Sequence, residues 1–188
     1  MLLTGILVLG DWIISLDADE ELSTEAAAEI QAFLAGQSSA VNGCSFPRLS
    51  FYLGRWIKHG GWYPDRKLRL VRRGHARWQG DDPHDKLISD GATRELRGRI
   101  NHYVYRDISH QLRTVDSFSG ITARQWHEEG RRCGVAVTVV KTIGKFFETY
   151  IWKLGMLDGM PGLIISVISS YYVFLKYAKL WELQHKKG

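Results

Sequence analysis

Asp17-Ala18-Asp19-Glu20 is the stretch whose residue types and spacing are best suited to chemistry. Asp17 and Asp19, with only a small alanine between them, can both approach one hard cation or its coordinated waters. Mg²⁺ and Mn²⁺ take oxygen ligands and commonly bridge a few carboxylates to substrate phosphates. A cation held there would neutralise the charge that builds on a departing diphosphate. A calcium EF-hand does not fit, because that loop needs glycine at its sixth position and Leu22 stands there. The plain alternative is a solvated acidic loop that caps the following helix.

The flanking residues say how such a pair would be positioned. Asp11 to Asp17 is an almost continuous apolar run, which reads as a short strand covered on both faces. The carboxylates would then lie at the carboxyl end of a buried parallel strand, where open α/β sheets bind ligands. Ser23 or Thr24 can cap a helix, Glu25 falls in its first turn, and Gly36 is a natural stop. Strands and turns are expected over 40–62, with Pro47, Gly54, Gly60 and Gly61 as punctuation. Lys67 to Arg72 alternates as a strand does, and a further strand is expected over 97–103. Gly80 to Asp85 reads as a loop, since the Asp82-Pro83 step disfavours helix. Tyr105, Ile108, Leu112, Val115, Phe118 and Thr122 recur at helical spacing, giving a helix to about Glu129.

The last third changes character. Lys141, Lys145, Phe146, Phe147, Tyr150 and Trp152 mix cations with aromatics, and Gly159 to Leu175 carries no charge. That stretch falls short of the roughly 20 residues of a clean membrane span. Its composition suits a bilayer interface, with a core helix pair or an oligomer contact as the bland alternative. The apolar start, Met1 to Gly10, has no basic residue and is a poor signal peptide.

Composition narrows the classes. The chain has 188 residues, 45% hydrophobic and 24% charged, which excludes disorder, collagen and a multi-span membrane protein. Two cysteines, Cys44 and Cys133, are too few for a disulfide scaffold and point to a reducing compartment. The net charge of +5 hides a gradient: no Lys or Arg precedes Arg48, whereas seven carboxylates do. From Arg48 to Arg77, nine cations face only Asp65. A polyanion held between a cation-collecting acidic site and a basic wall suits this order. Nucleic acid is not the expected partner, because there is no helix-turn-helix signature, zinc spacing or ribonucleoprotein motif.

Asp11-Trp-Ile-Ile-Ser-Leu-Asp-Ala-Asp-Glu-Glu-Leu-Ser23 resembles the metal-binding segment of family 2 glycosyltransferases of the GT-A fold. The likeness is strongest to the bacterial group that adds sugars to lipopolysaccharide core or related glycolipids. It continues through Gly54-Arg-Trp-Ile-Lys-His-Gly-Gly-Trp-Tyr-Pro-Asp65, Lys67-Leu-Arg-Leu-Val-Arg72, Pro83-His84-Asp85, His102-Tyr-Val-Tyr-Arg106 and Gly155-Met-Leu-Asp-Gly-Met-Pro-Gly162. Nearly the whole chain is covered, in order. Members of this family begin with a nucleotide-binding βαβ region, which needs about 30 residues or more. The acidic tetrad here lies too near Met1 for one, so an amino-terminally shortened member is expected, its activity in question.

The resemblance implies an α/β fold: a partial GT-A (nucleotide-diphospho-sugar transferase) mixed sheet with helices and a C-terminal helical membrane-interface appendage. The expected division is a truncated catalytic domain over 1–132 and a tail over 133–188. It implies metal-dependent, inverting transfer from a nucleotide-sugar donor to a lipopolysaccharide-core or related glycolipid acceptor. Asp17 and Asp19 would hold Mg²⁺ or Mn²⁺ on the donor diphosphate, with His102 as a further metal ligand. Arg69, Arg72 and His84 would contact donor phosphates, and Asp85 would be the general base on the acceptor hydroxyl. The place of work would be the inner face of the bacterial cytoplasmic membrane, peripherally. A sheet edge bared by the missing strands would be covered by a partner or a second copy. The alternative function is a non-catalytic membrane-interface or oligomerisation remnant of such an enzyme.

Overall fold

The computed structural model describes residues 4–36, 40–80 and 86–186. The chain forms two compact units, residues 1–51 with 62–104, and residues 52–61 with 105–188. The first is mixed α/β and the second is helical.

The first unit opens with a hairpin of β1 (Thr4–Leu9) and β2 (Trp12–Asp17), turned by Gly10 at φ +63°. Then come β3 (Glu20–Leu22), α1 (Thr24–Ala35) and β4 (Gly43–Tyr52). After β5 (Arg55–Ile57), which falls in the other unit, the strands are β6 (Asp65–Arg72), β7 (Ala76–Gln79), β8 (Lys86–Ser89), β9 (Thr93–Glu95) and β10 (Ile100–His102). The sheet order is β1-β2-β6-β4-β10-β3, with β9 beside β4 and β7-β8 as a separate ribbon. β10 and β9 run parallel to β4, while the other described pairings of this sheet are antiparallel.

The expected helix after the tetrad is present for the reason given by its residues. The Ser23 hydroxyl accepts the Ala26 N–H at 3.2 Å, and Gly36 ends the helix. The core joins Ala26, Ile30 and Phe33 of α1 to Ile14 of β2, Cys44 and Phe46 of β4, Leu70 of β6, and Leu96 and Ile100. Burial pushes the Cys44 thiol up to about 11.

One expectation is corrected. β2 is not a parallel strand: it is antiparallel to β1 on one side and to β6 on the other. Nor is it covered throughout, since only Ile14 and Ser15 are buried. The apolar residues before Gly10 form a strand that pairs antiparallel along one side of β2. The carboxyl end of β10, which runs parallel to β4, lies beside β3, with His102 opposite Glu20.

The second unit contains α2 (Ile108–Glu128), α3 (Val135–Phe147) and α4 (Gly159–His185), with a π turn (Glu148–Trp152) and a 3₁₀ turn (Gly155–Asp158) between the last two. Asp107 caps α2, its carboxylate accepting the His110 N–H at 2.6 Å. The charge-free stretch 159–175 is the first part of α4, and its Ile165, Ile168 and Val173 are buried. α4 is long and apolar enough to cross a membrane by length and composition alone. Asp158 ties this helix to the loop after β5. Its carboxylate accepts the N–H groups of Lys58 at 3.1 Å and His59 at 2.8 Å, and lies 3.1 Å from the His59 ring.

Gly98 supplies a direct test of the first unit. A Cβ there would lie 2.3 Å from Ala26 Cα and 2.5 Å from Ala26 N. These are backbone atoms of a capped helix and cannot step aside. Gly98→Ala should cost about 1–3 kcal/mol or more, read as a lowered chemical-denaturation midpoint. A second check is chemical: Cys44 is fully buried, so it should resist alkylation until the first unit unfolds.

Candidate functional site

The acidic tetrad lies where β2 turns into β3, and the structure surrounds it with partners far away in sequence. Glu20 is the centre. Its side chain is fully buried, and its Oε1 accepts from Arg48 Nη1 at 3.0 Å and Arg69 Nη2 at 2.7 Å. Its Oε2 accepts the Asp17 N–H at 3.2 Å, closing the turn. Arg69 Nη2 also donates to Asp17 at 2.5 Å, and Arg48 donates through Nη2 to Asp65 at 2.6 Å. Lys67 adds a contact to Asp65 at 3.2 Å.

Strand geometry explains why these groups meet. Alternation along β6 sends Leu70 into the α1 core and Arg69 to the other side. The register of β4 against β6 sets Arg48 opposite Asp65, and that of β10 against β3 sets His102 opposite Glu20. The network is therefore fixed by strand pairing.

Asp19 stands apart from it. Its Oδ2 lies 3.4 Å from His102 Nε2, while its Oδ1 is buried and has no hydrogen-bond partner among the described residues. Its own carbonyl accepts the Tyr103 N–H at 2.8 Å, which stitches the turn to the end of β10. Burial acts to raise the Asp19 pKa. The hydrogen bond and charge of His102, with help from the turn's backbone and Arg48, outweigh it and hold the carboxyl below the usual range. The other ring nitrogen of His102 is 3.2 Å from the Ser50 hydroxyl, so both nitrogens of this buried imidazole are engaged.

Four carboxylates (Asp17, Asp19, Glu20, Asp65) meet three cations (Arg48, Arg69, Lys67) here, leaving one negative charge before His102 is counted. That charge falls on Asp19, the member without a cationic side chain of Lys or Arg in contact among the described residues. The arrangement offers one oxygen unsatisfied among the described residues, and its single negative charge is cancelled when His102 is protonated. Among the described residues, however, no cluster of His, Cys, Asp or Glu is sufficient by itself to cage a metal. The rest of any coordination sphere would come from ligand oxygens and water, the usual habit of Mg²⁺.

The structure thus brings together Asp17, Asp19, Arg69 and His102. Arg69 is only 5% exposed and its terminal nitrogen is spent on Asp17 and Glu20. Arg72 is placed elsewhere: it pairs with Trp12 at the far end of β2 and its guanidinium sits over that indole, 5.4 Å from the ring centre. Asp85 and His84 lie outside the described residues. Sequence reading gave no role to Glu20, Arg48, Asp65 or Ser50. Arg48, the first cation after a run of acids, was the available signal, but its partners lie 28 and 17 residues away.

Comparison with known proteins gives these residues a context. The chain is 24% identical over 177 residues, 91% of its length, to the lipopolysaccharide core biosynthesis glycosyltransferase LpsC of Rhizobium meliloti (strain 1021), of which it covers 64%. It is 25% identical over 194 residues to the uncharacterized glycosyltransferase RT0209 of Rickettsia typhi, with 95% of the chain and 64% of that protein covered. A Rickettsia bellii uncharacterized glycosyltransferase is 26% identical over 189 residues, 92% and 62% covered. The chain is thus similar, over most of its length, to proteins named glycosyltransferases, and it spans just under two thirds of theirs. No family model matches it.

Two measurements probe the network. Glu20→Gln keeps the shape but removes the charge between two largely buried guanidinium groups. It should cost about 3–5 kcal/mol, seen as a lower melting temperature. Asp65 gives a pH test. Burial acts to raise its pKa, but Arg48 and then Lys67 hold it below the usual range. A carboxyl with a depressed folded-state pKa contributes stability that is present above its unfolded value, about 3.9, and lost as pH falls through the folded one. The melting temperature should fall over that acid range, and fall less steeply in Asp65→Asn.

Proposed function

We propose that this protein moves a sugar from a nucleotide-sugar donor onto a lipopolysaccharide-core or related glycolipid acceptor. It does so with a family 2, GT-A type site that uses Mg²⁺ or Mn²⁺ and inverts the anomeric carbon. The setting is the cytoplasmic face of a bacterial inner membrane. The similarity to named glycosyltransferases supports the reaction class, and the name of LpsC supports the acceptor class. The observation that carries the site assignment is Asp19, a carboxylate held below the usual range, one of whose oxygens is buried and unpartnered among the described residues, beside the Glu20 charge network.

In this reading Asp19 would contribute a protein oxygen to the divalent ion. The ion, when bound, supplies charge neutralisation of the leaving group. His102, hydrogen-bonded to Ser50 and facing Asp19, positions that carboxylate. Asp17 and Glu20 shape the turn through Arg69 and Arg48. Asp85 takes the proton from the acceptor hydroxyl as it attacks in line with the departing diphosphate.

A second reading, a non-catalytic remnant, draws support from the saturation of Asp17 and Glu20, which leaves a single carboxylate of this group for the ion. Manganese separates the two. Titration of the chain with Mn²⁺ and a nucleoside diphosphate, followed by electron paramagnetic resonance, should show bound metal. Asp19→Asn should weaken that binding about tenfold or more, a loss of one charged oxygen ligand. Unaltered Mn²⁺ binding in that variant would sink the assignment. Where transfer to a glycolipid is measurable, Asp85→Asn should lower turnover by about 10²-fold or more with metal binding intact.

A further inference from the structure

α3 is polar on its inner side and apolar on its outer side. Thr138 and Thr142 are half-buried, and their hydroxyls donate to the carbonyls four residues earlier, at Gly134 and Thr138. Facing away from them are Val139, Val140, Ile143 and Phe147, at 48–67% exposure. A helix built for water alone has the opposite polarity. The exposed apolar surface continues through the turns to Trp152, 86% exposed, and Met160, 67% exposed. Surfaces of this kind mark a binding face.

Charge selects the occupant. Between Gly134 and Trp181 the cations are Lys141, Lys145, Lys153, Lys176 and Lys179, and the only acids are Glu148 and Asp158. Asp158 is buried against the loop after β5. Glu148 is held by two lysines, Lys145 at 3.1 Å and Lys153 at 2.5 Å. Lys179 is paired with Asp116 at 2.7 Å and Lys176 packs on the rings of Trp126 and Tyr172, so, Asp158 aside, α3 and the turns after it carry Lys141, Lys145 and Lys153 against Glu148, an excess of two positive charges. Bare hydrocarbon and an exposed indole beside these lysines match a bilayer with anionic headgroups.

We propose that α3 and the turns up to Met160 form an in-plane docking face for anionic phospholipid, with Val140, Ile143, Phe147 and Trp152 entering the acyl boundary and Lys141 contacting headgroups. α4, whose apolar side is partly consumed within its own unit, acts as the support for that face. The inference deepens the membrane setting proposed above, but lipid binding needs neither donor nor metal, so either can fail alone.

Flotation of the full chain with vesicles tests it. The chain should float with phosphatidylcholine vesicles and several-fold more strongly when phosphatidylglycerol is included. Val140→Ser combined with Phe147→Ser should reduce the floated fraction about tenfold or more, since each removes buried hydrocarbon. Lys141→Glu should remove about fivefold or more of the preference for the anionic vesicles. Quenching of tryptophan fluorescence by brominated lipid, reduced in Trp152→Phe, reports insertion in a variant that keeps its aromatic surface. Three results would overturn the proposal: a chain that stays at the bottom with both vesicle types, an outward-face variant that floats as well as the parent, or a dimer in sedimentation that the same substitutions dissolve. The last would assign the face to a second copy.

Discussion

A single carboxylate, that of Glu20, holds the polar half of the first unit together. Buried charge is costly unless it is paired and hydrogen-bonded, and Glu20 meets both conditions by joining guanidinium groups from β4 and β6 to the backbone of its own turn. Each of those strands is thereby tied to the β2–β3 turn. The sheet register follows, since a one-residue slip of β6 would carry Arg69 into the α1 core. The acidic turn is therefore a structural hub.

The second unit uses a similar device with different parts. Asp158 is buried at the start of α4 and is satisfied by two backbone amides and an imidazole from the loop after β5. Close backbone approach makes this possible. A Cβ at Gly162 would lie 1.9 Å from the Gly155 carbonyl oxygen, so the 3₁₀ turn and the first turn of α4 pack with nothing between them. In both units, then, a buried acid joins segments that are distant in sequence.

Local signals were legible in the sequence and pairings were not. The Ser23 cap, the Gly36 stop and the β6 strand each depend on neighbours along the chain, and each is found where it was expected; α2 is present as well, but its expected face is not the covered one, since Ile108, Leu112 and Phe118 are exposed while Gln111, Ser119 and Ala123 are buried. The direction of β2's neighbours depends on which strands come to lie beside it. The Gly10-Asp11 pair between two apolar runs was the available hairpin signal. Arg69 looked like a free cation because its two acidic partners lie 52 and 49 residues away. Composition left the charge-free stretch of α4 open between a core helix and an interfacial one, and in the structure that stretch buries Ile165, Ile168 and Val173 within its own unit.

The tie between the Asp19 carbonyl and the Tyr103 amide bears on how the turn would choose among ions. With its main chain sewn to a neighbouring strand and its imidazole neighbour itself anchored to Ser50, the carboxylate has little freedom to swing. A stiff ligand cannot relax around a larger ion, which spreads six to eight oxygens at longer distances, as easily as a floppy loop can. Discrimination between small and large dications would then come from the rigidity of the scaffold, with the ordering cost already met during folding.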